Sequence, residues 1–214
     1  MRQNTAIKMN KSIELQVLNK IKKAKRGMLY FVSSFDSISN AKSVNKALER
    51  LVKSGELQRV ATGIYVRSAK DKILDLVSPN IDDIAVAIAK RDKARIVPTG
   101  AYALYKLGLS TQVPLNIVYY TDASARKIKI DKQTITFKKA SSINLAATGS
   151  ISKLVIQALR TIGKDNITDE EIIKMKNILK NEKPYHLQHD LAIAPEWIRK
   201  IILPIKTNIK NEQT

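Results

Sequence analysis

The chain has 214 residues, 44% of them hydrophobic, with a single tryptophan and no cysteine. That length can bury one or two cores of ordinary size, and the missing thiols exclude disulfides, zinc–thiolate sites and thiol chemistry, which fits a reducing cytoplasm. No apolar run approaches the roughly 18 residues of a membrane span, and the start MRQNTAIKMNKS lacks the apolar stretch and small-residue cleavage site of a secretory signal.

Charge is the dominant feature. The formal net charge is +19 and the isoelectric point about 10.0. Residues 1–70 carry 15 Lys and Arg against 4 Asp and Glu, while the other 144 carry 23 against 15. The excess is concentrated in the first third, where it attracts a polyanion and predicts salt-dependent nucleic-acid binding. A lysine-rich proteome would raise the charge of the whole chain but explains the asymmetry less well.

Residues 1–10 read as a disordered basic arm. Ser12 to Ala24 is the first predicted helix, with Ile13, Val17, Ile21 and Ala24 on one stripe. Met28 to Val32 is a short apolar run suited to a strand. Ser33-Ser34-Phe35-Asp36 has a capping-box pattern that predicts a short second helix to about Ile38. Asn40 then leads into the segment that organises this half. Val44, Ala47, Leu48, Leu51 and Val52 share one helix face, and Lys42, Ser43, Asn45, Lys46, Glu49, Arg50 and Lys53 form the polar remainder. Gly55 ends that helix, because glycine enters the left-handed cap conformation without steric cost. Leu57 to Val60 and Ile64 to Arg67 are predicted strands around the turn Ala61-Thr62-Gly63.

Helix, strand, short helix, helix and hairpin in that order describe a winged helix-turn-helix domain over 11–68, with the polar-faced helix in the major groove and the hairpin along the backbone. The predicted DNA contacts are Lys42, Ser43, Asn45, Lys46 and Arg50 on the helix and Arg59 and Thr62 on the wing. Serine and asparagine can read base edges, and lysine and arginine reach phosphates or guanine. Arg50 has competing roles, as a partner of Glu49 or Glu56 or as a cover for the core edge, and Tyr65 is expected in the core.

Ala69 to Val77 is a charged connector, broken at Ser78-Pro79-Asn80. A second, mixed α+β domain with a helical C-terminal part is expected over 78–203. It opens with a helix at Ile81 to Lys90, a strand at Arg95 to Val97 and a small-residue helix at Thr99 to Leu107. Leu115 to Thr121 is apolar enough for a central strand. Arg126 to Ile130 and Thr134 to Lys138 alternate basic and apolar, so both are expected half-exposed around the turn Asp131-Lys132-Gln133. Arg126, Lys127, Lys129, Lys132, Lys138 and Lys139 form either a second polyanion-binding ridge or a guard on an edge strand. Helices follow at Ile151 to Ile162, Thr168 to Leu179 with a Thr168/Glu171 capping box, 184–190 and 195–203. The tail Lys206 to Thr214 is expected to fray.

Catalytic patterns are weak. His186 and His189 are three apart with no third histidine in the chain, and Leu187 stands where a zinc protease motif needs glutamate. Gly149-Ser150 resembles the start of a nucleotidyltransferase motif, but no acid follows until Asp165, and a two-metal reaction needs paired acids. Ser124, Ser141 and Ser142 have no histidine beside them in sequence, and neither Gly100 nor Gly108 opens a phosphate-binding loop. No catalytic centre, metal or cofactor is therefore expected.

Three segments carry a resemblance to a known family: ALERLVKSGELQRVATGIYV (Ala47 to Val66), PTGAYALYKLGLSTQVP (Pro98 to Pro114) and VYYTD (Val118 to Asp122). Over residues 12–165 the chain resembles the AbiEi-like antitoxins of type IV toxin–antitoxin systems, in particular a small branch without an assigned role. The resemblance implies a transcriptional repressor that binds the operator of its own operon. It also implies a second domain that neutralises a nucleotidyltransferase-like toxin in an abortive-infection setting, with or without direct contact. Two alternatives stay open: a winged helix that binds protein, and a nucleic-acid-processing enzyme that docks through it. A symmetric operator would call for a dimer or for two copies side by side; the sequence leaves monomer and dimer open.

Overall fold

A computed structural model describes residues 12–67 and 79–211 of the chain. The expected N-terminal arm and the connector Ala69 to Val77 lie outside the described residues. The protein is mixed α+β: the described residues form eight α-helices and two sheets. The chain divides into two compact units, residues 1–87 and 88–214, and the division falls inside the helix Ile81–Arg91.

In the first unit, α1 (Ile13–Lys23) is capped by Ser12, whose hydroxyl accepts from the Leu15 N–H. β1 (Leu29–Phe31) leads into a single 3₁₀ turn at Val32–Phe35, then α2 (Ala41–Lys53), β2 (Gln58–Ala61) and β3 (Ile64–Val66). The expected short α-helix from Ser33 to Ile38 is thus a 3₁₀ turn that starts one residue earlier. Phe35 is fully buried, and hydrogen-bonded turns to its carbonyl continue the chain to Ser39. The sheet order is β1-β3-β2, antiparallel throughout, with an irregularity between Arg59 and Ala61. Val17 and Ile21 of α1 meet Val44, Leu48 and Leu51 of α2, with Phe35, Tyr30 and Tyr65 completing the core. Burial of each large apolar side chain contributes about 1.5–3 kcal/mol. Tyr65 is a core residue, as its pattern predicts.

The start of α2 depends on Asn40. Its side-chain oxygen accepts from the Ser43 N–H at 3.0 Å, satisfying one of the four donors a helix leaves unpaired at its N-terminus. Asn40→Ala is expected to lower the stability of this unit by about 1 kcal/mol. Chemical denaturation of that variant, beside Asn40→Asp, which keeps the acceptor, checks it; an unchanged midpoint for the alanine variant would sink the capping argument.

The second unit opens on α3 (Ile81–Arg91), which spans the division, then β4 (Ile96–Thr99), α4 (Ala101–Lys106), β5 (Asn116–Thr121), β6 (Arg126–Ile130) and β7 (Gln133–Lys139). The sheet order is β4-β5-β7-β6. Pro98 is tolerated because β4 is an edge strand, where a missing ladder donor costs least. β5 is central, as its apolar run predicts. β7 differs from expectation. It pairs with β5 in parallel and with β6 antiparallel, so it lies inside the sheet, and Ile135, Thr136 and Phe137 are consecutively buried. Only β6 keeps the half-exposed alternation, because it is the edge. Tyr102, Tyr119 and Phe137 form a run of ring contacts, each pair of centroids 5.9 Å apart.

α5 (Ser152–Ile162), α6 (Asp169–Leu179), α7 (Pro184–Ile193) and α8 (Glu196–Asn211) close the unit around Val155, Leu159, Met175, Leu179, Leu191, Ile198 and Ile202. The Thr168/Glu171 capping box forms as expected: each side chain accepts from the other residue's N–H, at 3.3 and 2.9 Å. α8 runs well past the predicted end at 203 and through the first part of the expected frayed tail. In the sequence, Ile198, Ile202, Ile205 and Ile209 recur at a helical spacing that continues beyond Pro204.

Candidate nucleic-acid interface

α2 exposes Lys42 and Lys46 to solvent, with Ser43 and Asn45 half-buried beside them. Among the described residues neither lysine forms an ion pair, so both charges are available to a ligand. Arg50 is different. Its guanidinium lies 3.5 Å from Glu14 of α1, with side chains 69% and 36% exposed. The partner is neither Glu49 nor Glu56, and a pair this exposed adds little stability and can yield to a phosphate.

The hairpin separates the two predicted wing residues. Thr62 is exposed at the turn between β2 and β3. Arg59 sits within β2 opposite Tyr65, away from the turn. It lines an open cleft of about 710 Å³ with Lys22, Arg26, Glu56, Gln58 and Arg67, beside the C-terminal end of α2. A helix of 13 residues spans roughly 20 Å at 1.5 Å per residue, so Arg59 stands far from the end that carries Lys42.

The six cations of the predicted second ridge do not share one surface. The pairing puts Lys127 opposite Thr136 and Lys129 opposite Thr134, while Tyr120 pairs with Lys138. Lys127, Lys129 and Lys138 therefore share a sheet face with Tyr120. Arg126 and Lys139 fall on the opposite face, and Lys132 is in the turn. Arg126 is bound to Asp92 and lies 5.3 Å from the Phe137 ring centroid. Burial raises the Asp92 pKa, but Arg91 and Arg126 outweigh it and hold it below the ordinary value. This correction to the ridge has a plain cause: alternation along β6 sends every second residue to the other face. Lys127 and Lys129 lie on the edge strand β6, the position at which lysines guard a sheet against further pairing.

The densest polar arrangement is one that no sequence motif announces. Asp190 of α7, fully buried, accepts from the N–H groups of Thr148 and Gly149 at 2.8 and 2.9 Å and from the Ser152 hydroxyl. Glu182, 8% exposed, accepts from the N–H groups of Ile151, Ser152 and Lys183 at 2.7, 3.0 and 3.0 Å. Two carboxylates from the α6–α7 region thus satisfy the donors at the start of α5, which has no side-chain cap of its own. Burial pushes both acids up in pKa, but the hydrogen bonds outweigh it and hold both below their ordinary values.

The histidines stand at the rim of this network. His189 Nδ1 is 2.9 Å from Asp190, and His186 Nδ1 is 2.8 Å from the Thr148 hydroxyl. The hydroxyl also lies 3.3 Å from Asp190. Asp190 thus holds His189 and the hydroxyl but not His186, the imidazole that faces the hydroxyl, unlike the relay of a nucleophilic triad. Among the described residues no three His, Asp or Glu side chains converge as a metal site, and no helix is long and apolar enough to cross a membrane.

The fold and its surfaces thus define an α+β protein with a basic N-terminal unit and a second unit built on two buried carboxylates. A family model matches residues 16–187, from α1 into the first turn of α7, and the chain belongs to that family, DUF6088, a family of unknown function. No curated protein matches the chain.

Proposed function

We propose that the first unit is a winged helix-turn-helix and that the protein is a DNA-binding transcriptional repressor of its own operon, acting as the antitoxin of a type IV toxin–antitoxin pair in the cytoplasm. The observation that carries the DNA reading is the N-terminal half of α2. Lys42, Ser43, Asn45 and Lys46 project from a capped, well-packed helix that is followed directly by a hairpin with Thr62 at its turn. Rigid support is what base reading requires, because side chains on an ordered helix reach the groove in one register. The antitoxin part rests on the resemblance of Ala47 to Val66 and Pro98 to Asp122 alone. No residue is given a catalytic role in this reading.

The test is a titration of the full chain against the duplex upstream of its own gene, beside a scrambled duplex, at two salt concentrations. Lys42→Ala/Lys46→Ala removes two candidate phosphate contacts. It should weaken binding tenfold or more and flatten the log–log salt dependence by about 2. Equal affinity for both duplexes would overturn the repressor reading and favour a winged helix that meets protein. Deleting the neighbouring gene and asking whether loss of this protein is still toxic tests the antitoxin part.

A further inference from the structure

The cleft that holds Arg59 has features that the DNA reading does not use. Three elements contribute cations to it: Lys22 and Arg26 at and after the end of α1, Arg59 from β2, and Arg67 after β3. Lysine outnumbers arginine almost three to one in this chain, yet three of its ten arginines line this one cleft. A guanidinium fork makes two parallel hydrogen bonds to a phosphate where an ammonium acts as a point charge, so an arginine cluster is the more selective feature.

Cations near helix C-termini often do no more than offset the helix dipole, and both α1 and α2 end here. Lys22, within the last turn of α1, fits that role and is also 3.4 Å from Glu56. Arg59 does not fit it. It sits on a strand, exposed, and among the described residues it pairs with no acid. Arg67 follows β3, and its guanidinium lies 3.5 Å from the Lys22 carbonyl at the cleft wall. Glu56, the partner of Lys22, is the single acid among the residues that line the cleft, against four cations. Half-buried Val52 and buried Leu57 add an apolar side. A volume of about 710 Å³ lies within the usual range for small-molecule sites, which extends from about 300 to 1,000 Å³.

We infer that this cleft binds a phosphate-bearing ligand of nucleotide size, with Arg26, Arg59 and Arg67 on the phosphates and Val52 beside the apolar part. The phosphates come either from a free nucleotide or from a nucleic-acid backbone. Val52, which lines the cleft, stands along α2 roughly 9 Å from Lys46 and roughly 15 Å from Lys42 at 1.5 Å per residue, and the site does not depend on their reading DNA.

The probe is inorganic pyrophosphate, titrated calorimetrically into the full chain. Arg26→Gln/Arg59→Gln is compared with Lys127→Gln/Lys129→Gln, which removes the same charge from the second unit. Saturable binding that weakens tenfold or more in the cleft variant and less than twofold in the ridge variant is the expected result. No saturable binding, or equal weakening in both variants, overturns the proposal, since either means the net charge alone acts. Matching thermal melts of both variants exclude misfolding as the cause. Competition then assigns the source: displacement by adenosine triphosphate but not by a duplex identifies a free nucleotide, and the reverse identifies a backbone. Displacement by neither overturns the proposal. Lys42→Ala/Lys46→Ala should bind pyrophosphate normally even if operator binding fails, which keeps the two readings separable.

Discussion

Asp190→Ala is expected to destabilise the second unit by about 2–4 kcal/mol, because removing the shared acceptor leaves buried donors unsatisfied at about 1–3 kcal/mol each. The alanine would leave the buried Gly149 N–H without its acceptor, would take the acceptor of the Thr148 N–H at the exposed edge of the site, and would leave the Ser152 hydroxyl only its longer contact of 3.4 Å to Glu182. Asp190→Asn should fare little better, since its amide nitrogen would face one of these donors with another donor. Fluorescence of Trp197 reports the loss selectively. It is the only tryptophan in the chain and packs against the helical core of the second unit. Urea unfolding followed at Trp197 should shift to a clearly lower midpoint with an unchanged slope. A change below about 1 kcal/mol would mean that the carboxylate is dispensable and its hydrogen bonds are readily replaced.

The same network sets an acid limit. Both carboxylates titrate below their ordinary values near 3.8 and 4.5 in the folded protein. Folding therefore favours their ionised forms, and the stability they contribute is fully present above those ordinary values. It is lost as the pH falls through the depressed folded values, where each protonated acid gives up an acceptor. The wild-type second unit should lose stability steeply below about pH 4.5, while Asp190→Asn should show a shallower decline from a lower plateau.

How much of the fold and of the candidate site is legible in the sequence depends on the kind of signal. α2 is readable because five apolar positions repeat at helical spacing and a glycine closes the pattern. α6 is readable because Thr168 and Glu171 make a local motif whose bonds close within one turn. Both depend on neighbours in sequence. β7 departs from its predicted half-exposure because burial there comes from β5, which reaches it by a parallel pairing that no local alternation encodes. The six cations of the ridge divide for a related reason: counting cations along a hairpin ignores that a strand sends them to two faces. Asp190 and Glu182 escape a motif search because an acid is most often a surface residue. One clue exists. Asp190 lies three residues after Leu187 and one before Leu191, on the apolar side of α7, and a carboxylate on that side needs partners to remain there. The strand alone assigns Arg59 to the wing, whereas the bend between Arg59 and Ala61 and the closeness of α1 put it in the cleft.

Gly149→Ala is expected to cost about 2–4 kcal/mol through space alone, since inserting a single methyl into a filled, hydrogen-bonded site forces its neighbours apart. Gly149 does not adopt the left-handed conformation, so its backbone would accept alanine without strain. The added Cβ would collide with the Ser152 hydroxyl and would stand 2.5 Å from Glu182 Oε2 and 2.8 Å from its carboxyl carbon. Neither neighbour can swing away cheaply: Ser152 is 1% exposed, Glu182 is 8% exposed, and both hold bonds at the start of α5. Gly55 provides the contrast. A Cβ there meets nothing within 4 Å, but its φ of +75° is left-handed, so Gly55→Ala should cost only the backbone penalty of about 1–2 kcal/mol. A double-mutant cycle separates the two cases. Ser152→Gly in the Gly149→Ala background removes one collision, so the two changes together should cost less than their sum by about 1 kcal/mol, whereas Ser152→Gly with Gly55→Ala should simply add. Additivity at Gly149 would sink the close-packing argument.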